Sequence, residues 1–258
     1  MSLSQTKQKV KIEWSSPFAY AIGLLTSDGN LSSDKRHMSL KSAEEELIEK
    51  FKTALGLKNK TTKSARGGEK EKKYFNLFFG DVVFYRFLNS IGLTQAKSKT
   101  IKLVDVPEEF FPDFLRGLFD GDGTFYTSWD KRWPSSFIFQ MAFSSASTDF
   151  IYWLKKKLAD LYGVNGFIHN GDGVLNLRYL KATSRKIFSI MYYKDGLLFL
   201  ERKYNKMKNA FEKDAKLVIA RERYKKYKRW GSSVVELSPE ERRVAGSIPA
   251  PSIQAAMV

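Results

Sequence analysis

The chain has 258 residues and carries 44 Lys or Arg against 28 Asp or Glu, a net charge of +16. That excess is more than solubility requires and points to a polyanion as partner. The absence of Cys, with only His37 and His169 present, rules out disulfides and cysteine zinc sites and argues against His-metal nucleases and His-dependent triads. Oxygen ligands and a hard cation remain. No apolar run reaches the ~18 residues that span a bilayer, and residues 1–11 lack a signal peptide's apolar core. A soluble, intracellular chain with no membrane partner is expected.

In chain order, Ala21-Ile22-Gly23-Leu24-Leu25-Thr26-Ser27 is an apolar helical run that stops at Asp28-Gly29. Residues 30–40 read as two short strands about the turn Asp34-Lys35-Arg36. A helix over 42–55 places Leu47, Ile48, Phe51 and Leu55 at helical spacing, with Ser42 as its N-cap. Beyond Gly56 come strands near 58–66 and 72–79 and a helix over 81–91. Val106-Pro107-Glu108-Glu109 is the junction. The order then repeats. Leu115-Arg116-Gly117-Leu118-Phe119 runs into Asp120-Gly121-Asp122-Gly123, and a longer hairpin turns at Asp130-Lys131-Arg132 and returns from Phe137 to Phe143. A helix over 147–162 with Ser147 as N-cap, strands near 165–169 and 174–180, and a helix over 183–193 complete it.

Each half thus reads α-β-β-α-β-β-α, an α+β fold of two pseudo-symmetric halves spanning 12–105 and 106–210. A basic helix is expected over 211–230; between Lys203 and Arg229 there are eleven Lys or Arg against three acids. Residues 231–258 are rich in Ser, Pro and Ala without apolar periodicity and are expected to be disordered. Their segments Arg243–Ala250 and Ser233–Glu236 can be back-translated as the T-arm and D-arm of a tRNA gene, so the frame is read as running out of its own gene.

Small residues recur at every fourth position, as Ala19, Gly23 and Ser27 in the first run and Gly117 and Gly121 in the second. Such stripes let two helix backbones approach closely and would set Asp28 beside Asp122 at one end of the contact. Paired carboxylates in a basic chain call for a divalent cation and phosphodiester chemistry.

Over roughly residues 15–210 these motifs resemble the LAGLIDADG homing endonucleases, in the single-chain form with two motif copies. The second copy fits at nearly every position, whereas the first has Thr26 where the family often has its earlier acid. The resemblance implies motif helices packed at the interface of the halves and antiparallel sheets forming a DNA-binding saddle. It implies Asp28 and Asp122 as catalytic metal ligands, the carbonyls of Ser27 and Gly121 as further ligands, and Mg2+ or Mn2+ as cofactor. A catalytic lysine near each acid is carried onto Lys97, with Lys99 as alternative, and onto Lys203. Their expected job is to polarise the hydrolytic water or stabilise the phosphorane. Candidate DNA contacts on hairpins and strands are Ser33, Lys35, Arg36, His37, Lys63, Arg66, Lys131, Arg132, Gln140 and Arg178. The expected activity is site-specific, metal-dependent cleavage of double-stranded DNA by a monomer without an obligate protein partner. An RNA-binding maturase acting on its own intron RNA, or a non-cleaving DNA-binding regulator, is the alternative on the same fold.

Overall fold

The computed structural model describes residues 8–65, 71, 73–131, 136–229 and 238–240, with the backbone alone for 224–229. Arg66, Arg132 and the tail 231–258, apart from 238–240, lie outside the described residues. The chain divides into one compact unit of Met1–Phe125 with Gln140–Tyr204 and a second of Tyr126–Phe139 with Asn205–Val258.

The described residues form an α+β fold with the internal repeat that the sequence announces. The first pass is α1 (Ser16–Ser27), β1 (Gly29–Leu31), β2 (His37–Ser42), α2 (Glu45–Leu55), β3 (Thr61–Ser64), β4 (Tyr74–Gly80) and α3 (Val82–Ser90). After a 3-10 turn at Glu108–Phe110 comes the second pass. It consists of α4 (Phe111–Asp122), β5 (Thr124–Trp129), β6 (Phe137–Ser145), α5 (Thr148–Tyr162), β7 (Phe167–Asn170), β8 (Leu175–Tyr179) and α6 (Lys181–Met191). A last helix, α7, runs unbroken over Glu201–Arg229.

Two four-stranded antiparallel sheets result, ordered β1-β2-β4-β3 and β5-β6-β8-β7. Their central ladders match in kind. Met38 pairs with Phe79 and Leu40 with Leu77 in the first sheet; Met141 pairs with Tyr179 and Phe143 with Leu177 in the second. These side chains are buried, because successive strand residues point to opposite faces and only one face has the helices to cover it.

The first unit closes around α1, α2, α3 and the second-half helices. α2 buries Leu47, Ile48, Phe51 and Leu55; α5 buries Phe150, Ile151, Leu154 and Leu158. Both end on a glycine in the left-handed region, Gly56 at φ 65° and Gly163 at φ 60°. Ser147 caps α5 as expected, its Oγ accepting from Phe150 N at 3.4 Å while its hydroxyl donates to Ile101 O. Ser42 does not cap α2. The β2–β4 ladder extends through Ser42↔Phe75 and keeps that residue extended, so α2 begins only at Glu45. Ser42 Oγ instead accepts from Glu44 N at 3.0 Å.

In the second unit, Phe139 lies 5.1 Å from Phe211, and Lys213 covers the rings of Trp129 and Phe137 at 5.4 and 5.3 Å. Lys213 also pairs with Glu240 at 2.7 Å. Met207, Ala210, Leu217 and Ala220 form the buried seam of α7, and its bases lie mostly off that seam.

Candidate active site

α1 and α4 pack backbone to backbone on their small-residue stripes. A Cβ placed on Gly117 would lie 2.0 Å from Tyr20 O, and one on Gly23 would lie 2.2 Å from Phe114 O. Any side chain there forces the helices apart. At the end of the stripe, a Cβ on Gly121 would meet Ser27 Oγ at 1.9 Å and Asp28 Oδ2 at 3.0 Å, so the Asp28 carboxylate reaches across to the other helix. Asp28 is the C-cap of α1, its N–H donating to Leu24 O at 3.0 Å, and Asp122 is the last residue of α4. The stripe therefore brings the two acids to one place.

Two lysines converge on the same place. Lys97 is 5 % exposed, and its Nζ donates to Ser27 O at 3.4 Å and to Gly29 O. Lys203, in the first turn of α7, donates to Phe119 O, Gly121 O and Gly123 O at 2.8, 2.9 and 2.7 Å. Each ammonium thus clamps the carbonyls on either side of one motif acid. Unpaired carbonyls at a helix C-terminus carry the negative end of the helix dipole, which favours a cation there. Lys99 is exposed, and of the two candidates it is Lys97 that reaches the carbonyls around Asp28.

The electrostatics are those of a crowded, poorly hydrated cluster. Burial pushes Asp28 up to about 6, helped by repulsion from Asp122 and opposed by Lys203 and Lys97. Asp122 is also raised by burial, although its carboxylate reaches solvent, and the two lysines oppose that rise. Loss of hydration lowers both Lys97 and Lys203 to about 8, against the attraction of the nearby acids.

A second polar group on α4 was not foreseen. Arg116, fully buried, donates to Asp113 Oδ1, Met191 O and Leu198 O at 2.6, 2.6 and 2.8 Å. Asp120 accepts Tyr20 Oη at 2.8 Å and Leu200 N–H at 2.7 Å. The signal was present: residues 113, 116 and 120 stand at i, i+3 and i+7 and so share one helix face. Charges on a face that must be buried need partners.

Ladder parity sorts the candidate DNA contacts. On the first sheet, His37, Ser39, Lys41, Thr62, Asn76 and Phe78 occupy the face opposite the buried Met38, Leu40, Leu77 and Phe79. Lys63 pairs with Phe75 and sits over its ring at 5.1 Å, which puts it on the other face from His37. On the second sheet Gln140, Ala142, Ser144, Asn176 and Arg178 share the face opposite Met141 and Phe143, half-buried except for the fully buried Ala142, with His169 beside Asn176. Ser33, Lys35, Arg36 and Lys131 are exposed at turns; Asp34 shapes the first turn by accepting the N–H groups of Arg36 and His37, both at 3.0 Å. Lys41, Asn76, Ser144, Asn176 and His169 were absent from the sequence selection, although period-two counting from Met38 and Met141 identifies two of them, Lys41 and Ser144.

The family described as LAGLIDADG-like domain matches residues 15–92. A solved structure of the LAGLIDADG homing endonuclease I-GzeII in complex with its DNA target matches with a TM-score of 0.55 at 13% identity, covering 89% of this chain and 95% of that one. The chain carries the LAGLIDADG fold. The LAGLIDADG meganuclease I-AabMI bound to uncleaved DNA matches at TM-score 0.54 and 12% identity, over 80% of this chain and 92% of that one. The meganuclease I-SmaMI bound to uncleavable DNA matches at 0.51 and 14%, over 79% and 90%. A comparison with curated protein sequences finds no match.

In a LAGLIDADG pair of this build, the donor set suits a hard divalent cation. Asp28 is half-buried and Asp122 reaches solvent, both are raised by loss of hydration, and these two carboxylates would hold a divalent cation. The carbonyls of Ser27 and Gly121 each hold an ammonium, and each keeps a second lone pair. Among the described residues no group of three or more His, Asp or Glu could hold a metal, so further ligands have to be backbone, water or phosphate oxygens.

Proposed function

We propose that this chain is a site-specific endonuclease that hydrolyses both strands of double-stranded DNA with Mg2+ or Mn2+, as a monomer whose halves supply one acid each. The observation that carries this reading is the paired ends of α1 and α4. Asp28 and Asp122 stand there together, each with a lysine on the carbonyls that flank it, buried Lys97 on one and half-buried Lys203 on the other. A bound divalent cation supplies charge neutralisation at phosphorus and a more acidic water. In this reading Asp28 and Asp122 hold it, with Ser27 and Gly121 carbonyls as added oxygens. Lys97 and Lys203 keep the acid-bearing peptides in place and add positive charge where the phosphorane develops it. Lys203 places all three of its donors on carbonyls and Lys97 two of its three, so both act here through charge and position.

Support for DNA as the polyanion comes from the net charge of +16 and from sheet faces opposite the buried ladders that carry His, Lys, Asn, Gln and Arg. Among the described residues no helix is long and apolar enough to cross a membrane. The test is selection of cut molecules from a randomised duplex library in Mg2+, with Ca2+ as a binding-only control. Recovery of a long, defined cut site supports the reading. Tight binding in Ca2+ with no nick in Mg2+ or Mn2+ overturns it in favour of a non-cleaving regulator, and preferential binding of structured intron RNA favours a maturase.

A further inference from the structure

Asp120 is an acid that the proposed chemistry leaves without a task. It stands two residues before Asp122 and is 2 % exposed. Its Oδ2 joins two elements, accepting Tyr20 Oη from α1 and the N–H of Leu200 at 2.8 and 2.7 Å. Leu200 is fully buried and immediately precedes α7. Its carbonyl accepts the N–H groups of Lys203 and Tyr204 at 3.0 and 3.1 Å. Leu200 is therefore gripped through its N–H by α4 and through its C=O by the first turn of α7. From that turn Lys203 returns to Phe119 O, Gly121 O and Gly123 O, the carbonyls that bracket Asp120 and Asp122. The path from Asp120 through Leu200 and Lys203 closes back on α4.

The first half is built otherwise. Thr26 stands two residues before Asp28, and its hydroxyl turns back onto its own helix, donating to Ile22 O at 2.8 Å. Lys97 comes from a turn in which Thr100 N and Ile101 N both donate to its carbonyl, at 3.1 and 2.9 Å.

We infer that Asp120 is a positioning residue for the second half-site: it anchors Leu200 at the start of α7 and thereby holds Lys203 on the peptides around Asp122. The effect acts by hydrogen-bond geometry and has no counterpart at Thr26. It rests on the endonuclease reading for its activity arm and is independent of it for its structural arm.

The test compares Asp120→Leu, which removes the acceptor, with Asp120→Asn, which keeps one. Duplex labelled on both strands is cut under single-turnover conditions, with binding measured in Ca2+. Misplacing a reacting group by about 1 Å can cost about 100-fold, so Asp120→Leu is expected to slow one strand by about that factor. The other strand and Ca2+-supported binding stay within about tenfold. Asp120→Asn is expected to restore the slow strand to within about tenfold of wild type. In parallel, hydrogen exchange over residues 198–206 should quicken in Asp120→Leu and not in Asp120→Asn. Equal slowing of both strands, an Asp120→Asn as slow as Asp120→Leu, or unchanged exchange in Asp120→Leu overturns the inference. If the wild type cuts nothing, the endonuclease reading fails, and the exchange comparison alone decides whether Asp120 anchors Leu200.

Discussion

The two motif helices meet on one stripe but are made of different material. α1 has no charged residue, and Phe18 to Thr26 is buried without interruption. α4 carries Asp113, Arg116 and Asp120 in its buried face and Asp122 at its end. The features common to both are those that the pair needs, small residues at the contact and an acid where each helix stops. The features that differ follow what each half does after its third helix. The segment after α3 buries Leu93, Ile101, Val104 and Val106, with the Ser147 hydroxyl on Ile101 O as its bond from a neutral side chain. The segment after α6 is held through its main chain, with Met191 O and Leu198 O on Arg116 and Leu200 N–H on Asp120. Both segments bury leucines, but only the one after α6 is also gripped by charged side chains, Arg116 and Asp120.

The largest expected effect tests what the helices share. Asp28→Asn or Asp122→Asn should abolish double-strand cleavage while Ca2+-supported binding stays within about tenfold, because a metal-binding carboxylate acts on the transition state and not on the DNA footprint. Full cleavage by either variant removes the shared-acid account. Next in size is the difference. Arg116→Leu strands Asp113 and two carbonyls in the interior and should cost about 3–5 kcal/mol in denaturant unfolding. Tyr20→Phe, on the apolar helix, removes one donor to Asp120 and should cost about 1 kcal/mol. Similar costs for the two would erase the contrast between the helices.

How far these features could be read in advance follows the same line. The repeat and the meeting of both acids were legible, since periodicity and motif position are local in sequence; the lysines came from the family resemblance, with Lys99 open beside Lys97. The main-chain partners of Arg116 and Asp120 were not, because they lie 75 to 82 residues away and no side-chain pattern marks them. Ser42 misled for a related reason, with a ladder bond to a distant strand overriding a local capping preference. Lys63 looked like its neighbours until the register with Phe75 assigned its face.

A smaller effect concerns pH. The folded state holds Asp28 at about 6, above the ordinary 3.8, so it binds the proton more tightly than the unfolded chain does. Stability from this group therefore declines as pH rises from about 4 to 6 and stays reduced above that. Without divalent cations, Asp28→Asn should unfold later than wild type at pH 7.5, by about 1–2 kcal/mol, and show no gain below pH 4. Absence of that crossover in melting scans would mean that the Asp28 charge is already compensated. Smallest are single exposed bases. Replacing Lys35 or Lys131 by Gln should lower the slope of log K against log salt by about 0.9 if each meets one phosphate, with little change in site preference.

The closest approach of α1 to α4 is made by Gly23, Gly117 and Gly121 against main chain and a short serine, with Tyr20 and Ser16 adding side-chain bonds to Asp120 and Asp113 beside it. It asks of each helix a few missing side chains and nothing of the sheets behind them. The spacing of the two acids is thus inherited from peptide geometry, the one part of a protein that substitution does not alter. Each half is free to drift, with Phe78 in one ladder and Arg178 at the matching rung of the other, while the distance between Asp28 and Asp122 is insulated from that drift.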